Sequence, residues 1–303
     1  MTNRIKMWWV AVRPFAYTAS VMPVLLGSLL AWTAGFPFQV TGFILTLAGV
    51  ICFHTAGNLY NDAYDFRRGL DRQAHPGSGA VVRGWITDRQ AIAAATLFLV
   101  AGVGCGLVLV WLAGPVVLAL GIAGVLLTTA YTRSGACLKV VGLGDVVMLV
   151  AFGLLPVFGA WWVQARTFAW DPIVWSLPLA LPTMGILHAN NWRDIDSDAK
   201  HGCKTFAARL GHAGSRHYYR LLLLSPFALV VLYILPARDG SIPIQAPWTA
   251  LATVAALPAA WRLARPDWQA DAEGIRMLDA RTAQFHSLFG GLLLAGFLLS
   301  RCI

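Results

Sequence analysis

Residues 40–72 read VTGFILTLAGVICFHTAGNLYNDAYDFRRGLDR. From 40 to 59 the stretch contains no Asp, Glu, Lys or Arg; it then releases Asp62, Asp65 and Asp71 together with Arg67, Arg68 and Arg72. A helix needs roughly 20 apolar residues to cross a bilayer. The first part is therefore predicted to be a membrane span, and the charge that follows it to lie at a membrane surface.

Working outward, the same pattern recurs. Apolar runs are predicted to form spans near 15–33, 40–59, 90–112, 115–132, 142–163, 172–191, 217–236, 247–263 and 283–300. They are apolar all round instead of carrying one apolar stripe, as helices surrounded by lipid or protein should be. Of the 303 residues 58% are hydrophobic and 12% charged, where a soluble domain is about a quarter charged. The expectation is an all-α, polytopic membrane bundle of about nine transmembrane helices, forming a single domain over residues 1–303.

Orientation follows from Lys and Arg, which collect on the cytoplasmic side of short loops. Arg166, Arg238 and Arg301 stand on one side; the remainder of the 23 basic residues fall at the N-terminus and in the alternate loops. This predicts a cytoplasmic N-terminus, an outer C-terminus and residence in the cell inner membrane. The net charge of +9 is then a basic cytoplasmic face, suited to anionic headgroups or a phosphate-bearing substrate, and calls for no nucleic acid. Trp8 and Trp9 at interface depth, with Arg13-Pro14 at a helix start, mark the first apolar run as a retained span instead of a cleaved signal. Cys52, Cys105, Cys137, Cys203 and Cys302 show neither CxxC nor metal spacing, so no disulfide framework is expected.

A second polar stretch, HANNWRDIDSDAKHGCKTFAARLG over residues 188–211, repeats the logic of the first. At about 100° per residue, Asn58, Asn61, Asp62, Asp65 and Gly69 fall on one helical face. Asn190, Asn191, Asp194 and Asp198 share a similar arc, and Asp196 faces away. Each segment thus offers two carboxylates about one turn apart with amides just deeper. Carboxylates at a membrane boundary are costly and mark function. Four converging carboxylates would repel one another, and a divalent cation relieves that. Mg²⁺ is hard, prefers oxygen and is held by one or two carboxylates plus substrate phosphates. The chain has no HExxH zinc motif and no P-loop. A lipid-tailed diphosphate held through Mg²⁺ is the implied ligand. An ion-coupled transporter is the reading from another class, but transporter sites lie near the bilayer midplane, and these carboxylates cluster at one surface.

At these residues the sequence resembles the UbiA superfamily of intramembrane prenyltransferases. NDAYDFRRGLD matches its first Asp-rich motif, and NNWRDIDSD with GCKT and ARLG its second. RPFAYTASVMPVLLG, GSGAVVRG, YTRSGACLKVVGLGD and TAQFHSLFG extend the likeness over nearly the whole chain. Within the superfamily it is most similar to the 1,4-dihydroxy-2-naphthoate polyprenyltransferase (MenA) branch. That branch favours ND-x-x-D-x-x-x-G-x-D, here Asn61, Asp62, Asp65, Gly69 and Asp71. The 4-hydroxybenzoate branch places Asp where this chain has Gly69.

The resemblance implies Mg²⁺-dependent transfer of a polyprenyl chain from its diphosphate to 1,4-dihydroxy-2-naphthoate, with decarboxylation, in menaquinone biosynthesis. Another aromatic acceptor such as 4-hydroxybenzoate is the alternative. It implies that Asp62 and Asp65 hold one Mg²⁺, and Asp194 and Asp198 another. Asn58, Asn61, Asn190 and Asn191 would orient or complete these shells, and Arg83, Lys139, Arg193 and Lys204 would contact the diphosphate. Tyr131 would face the developing cation, while Asp145 is either a base or a helix cap. The tail would lie in a groove open to the lipid bilayer. Two features depart from the pattern: Lys204 is displaced one position by Cys203, and His188 precedes the Asn pair. Thr282 and His286, one turn apart, read as core.

Overall fold

The computed structural model describes residues 4–69, 79–132, 138, 140–200, 202–237, 244–265, 268, 271 and 273–302. The expectations placed on Asp71, Arg72, Cys137 and Lys139 lie outside these residues. A short helix, α1 (Arg4–Val12), leads through a 3₁₀ turn (Pro14–Tyr17) into α2 (Thr18–Thr33) and then α3 (Val40–Arg68). α4 (Asp88–Ala113) and α5 (Pro115–Thr132) form a pair. α6 (Gly144–Met148) continues through a π-helical turn (Leu149–Leu154) into α7 (Leu155–Ala165). α8 (Asp171–Arg193), α9 (Ile195–Lys200) and α10 (Phe206–Ala237) follow. A 3₁₀ segment (Trp248–Ala256) runs into α11 (Leu257–Ala264), and a 3₁₀ turn (Ile275–Met277) precedes α12 (Leu278–Leu299). Among the described residues there is no strand.

Each of the nine predicted segments is helical. Seven helices among the described residues are long and apolar enough to cross a membrane, which makes this a multi-pass membrane protein. The other two segments are shorter or less regular. Pro115–Tyr131 is an apolar helix of fewer than 18 residues, and the segment near 247–263 is split between 3₁₀ and α geometry.

Local chemistry explains the boundaries. Thr87 and Gln90 form a reciprocal capping box at the start of α4, satisfying two donors that the helix leaves open. Gly69 ends α3 with φ 69°, and its N–H returns to the Asp65 and Phe66 carbonyls; glycine takes this left-handed cap without a Cβ clash. Pro156 has no N–H to give the Phe152 carbonyl, and the π turn sits directly before it, where the ladder is loosened.

Of the spans, α8 is the most enclosed and α4 the most open to lipid. The main core joins α2, α7, α8, α10 and α12 through Leu26, Val157, Trp175, Tyr219, Phe289 and Phe297. Helix packing in lipid depends on small residues that let backbones approach. Gly27 shows this: a Cβ there would meet the Val157 carbonyl at 2.1 Å. At the end remote from the Asp-rich segments, Gln164 and the Gln39 backbone exchange hydrogen bonds of 2.6 and 3.2 Å. The buried Asp171 accepts from the Gln245 N–H at 2.6 Å. A second, smaller core of Ala11, Leu59, Ala63, Val81, Ala91 and Ala95 fastens α1 to the lower half of α3 and α4. That second core positions the first Asp-rich segment.

Candidate active site

A cavity of about 990 Å³ opens between α2, α3, α5, the π turn and α8. Its polar end is lined by Arg13, Asn58, Asn61, Tyr131, Asn190 and Asp279. The rest is apolar, from Phe15, Val147, Met148, Phe152, Ile186 and Leu187. It shares His54, Gly57, Thr128, Ala151 and Phe152 with a second cavity of about 800 Å³. That one shares Val50, Phe53, Leu120, Gly121, Val125, Leu155 and Pro156 with a third, of about 1080 Å³, bounded by α3, α4, α5 and α7. The three adjoin one another in order from a polar head to an apolar end.

The first Asp-rich segment is the unbroken end of α3. Asn58 and Asn61 face the cavity, and the Asn58 amide donates to the Val12 carbonyl at 3.1 Å. Asp62 and Asp65 are 2% and 4% exposed. Arg13, held in a left-handed conformation (φ 54°) between α1 and the 3₁₀ turn, donates through its guanidinium to Asp62 Oδ1. Asp62 Oδ2 is buried without a hydrogen-bond partner among the described residues.

The second segment is built differently. α8 stops at Arg193, and Asp194 breaks the helix with φ −97° and ψ 6° before α9 begins. Arg193 folds back to donate to both Asp194 oxygens at 2.9 Å. It also reaches Asn190 Oδ1 at 2.5 Å and Asp279 Oδ2 at 3.4 Å. Asp198 is buried and Asp196 exposed, as the helical arc predicted. Asn190 lines the cavity; Asn191 is buried outside its lining.

Over residues 20–299 the sequence matches the UbiA prenyltransferase family. The chain belongs to that family. UbiA prenyltransferase domain-containing protein 1 of Mus musculus is 33% identical over 294 residues, 96% of this chain and 83% of the mouse protein. The Drosophila melanogaster homolog of that protein is 34% identical over 235 residues, covering 76% of this chain and 65% of the fly protein. The relatives carry the family's name and not that of the naphthoate branch. Among solved structures, a UbiA homolog from Aeropyrum pernix K1 superposes with a TM-score of 0.65 at 18% identity, over 99% of this chain and 100% of that one. A UbiA homolog from Archaeoglobus fulgidus, bound to GPP and Mg²⁺, also gives 0.65, at 15% identity, over 98% and 100%. Both share the fold.

As a UbiA prenyltransferase, the chain should offer hard oxygen donors for a divalent cation. Among the described residues no three or more His, Cys, Asp or Glu side chains approach closely enough to hold a metal, so the expected convergence of four carboxylates is not what the structure shows. The physical reason lies in two arginines. Arg13 neutralises Asp62 and Arg193 neutralises Asp194, each doing locally what a cation would otherwise do. The first segment still fits Mg²⁺: it has two buried carboxylates one turn apart, and one buried oxygen without a partner, beside a cavity able to admit phosphate oxygens.

Other expected contacts lie elsewhere. Arg83 is exposed with its guanidinium 4.9 Å from the Trp85 ring centroid. Lys204 is exposed and bonds the Val140 carbonyl through its backbone at 3.0 Å. Neither is part of the cavity lining. Asp145 is buried in the first turn of α6 with neither oxygen hydrogen-bonded, 3.8 Å from His188 Nδ1; it caps no helix and does not line the cavity. Three lining residues escaped the sequence reading. Arg13 marks a helix start and opens the RPFAYTASVMPVLLG stretch without a site role, and Asp279 carries no motif. His54 stands one turn before Asn58 on the same face of α3, so extending the polar stripe inward would have found it.

Proposed function

We propose that this UbiA prenyltransferase moves a polyprenyl chain from its diphosphate to an aromatic acceptor, with 1,4-dihydroxy-2-naphthoate as the acceptor and loss of its carboxylate. The observation that carries the proposal is the polar Arg13–Asn58–Asn61–Asn190–Asp279 head adjoining, in sequence, two apolar cavities. Its shape and polarity suit a diphosphate with a long hydrocarbon tail. The structural neighbour bound to GPP and Mg²⁺ supports the same pairing of ligand and ion. The single domain of residues 1–303 and a head facing the cytoplasm belong to this reading.

In the proposed reaction Asp62 and Asp65 would hold one Mg²⁺, and Asp194 with Asp198 a second; the ions would supply positive charge to the departing diphosphate. Asn58, Asn61, Asn190 and Asn191 orient the carboxylates and the phosphate oxygens. Arg13 adds positive charge where the leaving group gathers negative charge. Arg193 keeps Asp194, Asn190 and Asp279 in one array. Arg83, Lys139 and Lys204 would add positive charge for the diphosphate. The Tyr131 ring, in the cavity wall, stabilises positive charge on the prenyl carbon. Asp145, outside the cavity lining, is assigned no direct part in the transfer in this reading.

Support for the naphthoate comes from Gly69. It occupies a left-handed cap, so the helix ends there, and the aspartate of the 4-hydroxybenzoate motif would be strained at this position. The test pairs one labelled prenyl diphosphate with several aromatic acceptors in membranes containing the enzyme. The naphthoate should give the highest kcat/KM and release CO₂. A higher value for 4-hydroxybenzoate, or no CO₂, would overturn the acceptor assignment while leaving prenyl transfer intact.

A further inference from the structure

We propose that His54 is the catalytic base that takes the hydroxyl proton of the aromatic acceptor, an inference that rests on the function proposed above. His54 lies on α3 four residues before Asn58, so it is one turn, about 5–6 Å, deeper on the same face. It borders both the head cavity and the apolar cavity beyond it. A diphosphate seated against Asn58 and Asn61, with its tail in the apolar cavities, passes its reacting C1 carbon and first isoprene unit beside this imidazole. The attacking ring carbon must come within about 3–3.5 Å of C1. A hydroxyl ortho to that carbon is therefore within reach of the imidazole.

The ring is held for such a role. Its Nδ1 lies 2.6 Å from the Ser20 Oγ, and Ser20 is itself buried. Tyr17 and Phe152 pack edge-on at 5.4 and 5.0 Å, and the Tyr17 hydroxyl is fixed by Thr55 at 2.7 Å. Three elements thus set the ring's position. Nδ1–H is assigned as the donor to Ser20, which leaves Nε2 as the acceptor nitrogen of a ring that lines both cavities.

Elimination points the same way. The other polar groups lining the head cavity are the Asn58, Asn61 and Asn190 amides, the Thr128 hydroxyl, the Tyr131 phenol, Arg13 and Asp279. Amides, a hydroxyl, a phenol and a guanidinium are poor proton acceptors. Asp279 already accepts from Arg193 at 3.4 Å and from the Ala280 N–H at 2.8 Å. In the step assigned to His54, the C1–O bond breaks and its electron pair leaves with the diphosphate. A ring π pair forms the C–C bond to C1. The acceptor's O–H pair becomes the new C=O bond, and its proton passes to Nε2. The ring carboxylate then leaves as CO₂, its C–C pair returns to the ring, the C=O π pair returns to oxygen, and the imidazolium gives its proton back to the restored aromatic hydroxyl.

The experiment compares wild type with His54→Gln and Ser20→Ala. Three readouts are taken: turnover, binding of a non-ionising prenyl thiodiphosphate followed by tryptophan fluorescence, and the pH profile of kcat. The titratable or charged groups nearest His54 are Tyr17, Arg13, Tyr131 and Asp279, and all are retained in both variants. His54→Gln should bind the thiodiphosphate within about threefold of wild type and lose about 10²–10⁴ in kcat, the usual contribution of a general base. It should also lose the fall in rate on the acid side that a protonating imidazole gives the wild type. Ser20→Ala should keep that limb, with a smaller loss in kcat. Turnover of His54→Gln within threefold of wild type, or an unchanged acid limb, would overturn the proposal. So would a loss of thiodiphosphate binding that matches the loss of turnover. If His54→Gln fails to fold, Ser20→Ala decides: wild-type turnover in that variant would count against His54. A wild-type enzyme that prenylates no hydroxylated aromatic compound would instead sink the function proposed above, and His54 with it. A working wild type matched by His54→Gln sinks His54 alone.

Discussion

The two Asp-rich segments resemble each other in composition and differ in how they are held. The first is the uninterrupted end of α3, and the charge opposite Asp62 comes from Arg13, 49 residues away in sequence. The second is broken at Asp194, and Arg193, the adjacent residue, supplies the opposing charge. One geometry is therefore tertiary and the other largely local. In the first, a carboxylate with 2% exposure depends on a remote loop in a left-handed conformation. In the second, an arginine with 6% side-chain exposure gathers Asp194, Asn190 and Asp279 by itself. A metal arriving at the first segment meets a buried oxygen without a hydrogen bond. At the second it meets a carboxylate already bound on both oxygens.

The sharpest way to break the comparison is to remove the metal. Excess EDTA should reduce prenyl transfer to background, and added Mg²⁺ should restore it; transfer that continues in EDTA would mean that the two arginines suffice. Next in size, Asp62→Asn should cost at least a hundredfold in turnover, about 2.7 kcal/mol of barrier, without loss of the folded protein in detergent. Asp194→Asn should cost less than Asp62→Asn, because Arg193 can still orient the amide oxygen. If the two losses are equal, the difference between the segments has no functional meaning.

A finer test lies within the second segment. Asp198→Asn should lower kcat strongly, since Asp198 is 9% exposed on the inner side of α9. Asp196→Asn should stay within about threefold, or about 0.7 kcal/mol of barrier; its side chain is 83% exposed and only 3.5 Å from His212 Nε2 as a partner. Comparable losses would refute the facing argument. The smallest effect on chemistry belongs to Gly27→Ala. The new methyl meets the Val157 carbonyl, so it should lower thermal stability by about 1–3 kcal/mol and leave kcat nearly unchanged in the folded fraction.

Much of the site could be read from the chain because it lies on helices. Asn58, Asn61, Asp62 and Asp65 keep the helical period, and Asp196 against Asp198 follows the same arithmetic. That arithmetic failed at Asp194, where the helix breaks. It also said nothing of Arg83 and Lys204, which are exposed and outside the cavity lining. His54 was legible in principle as a continuation of the stripe, but a single histidine in an apolar run is usually core.

What the sequence determined by itself was the membrane class, the positions of the helical segments and the faces that carry the carboxylates. These depend on continuous apolar length and on the 3.6-residue repeat, both properties of neighbouring residues. Only the tertiary structure decided that Arg13 meets Asp62, that Arg193 joins Asn190 to Asp279, and that two cavities share His54 in their walls. Those arrangements join residues tens to hundreds of positions apart, through close helix contacts such as Gly27 on Val157. The pairing of faces across helices is set by packing, which no local period encodes.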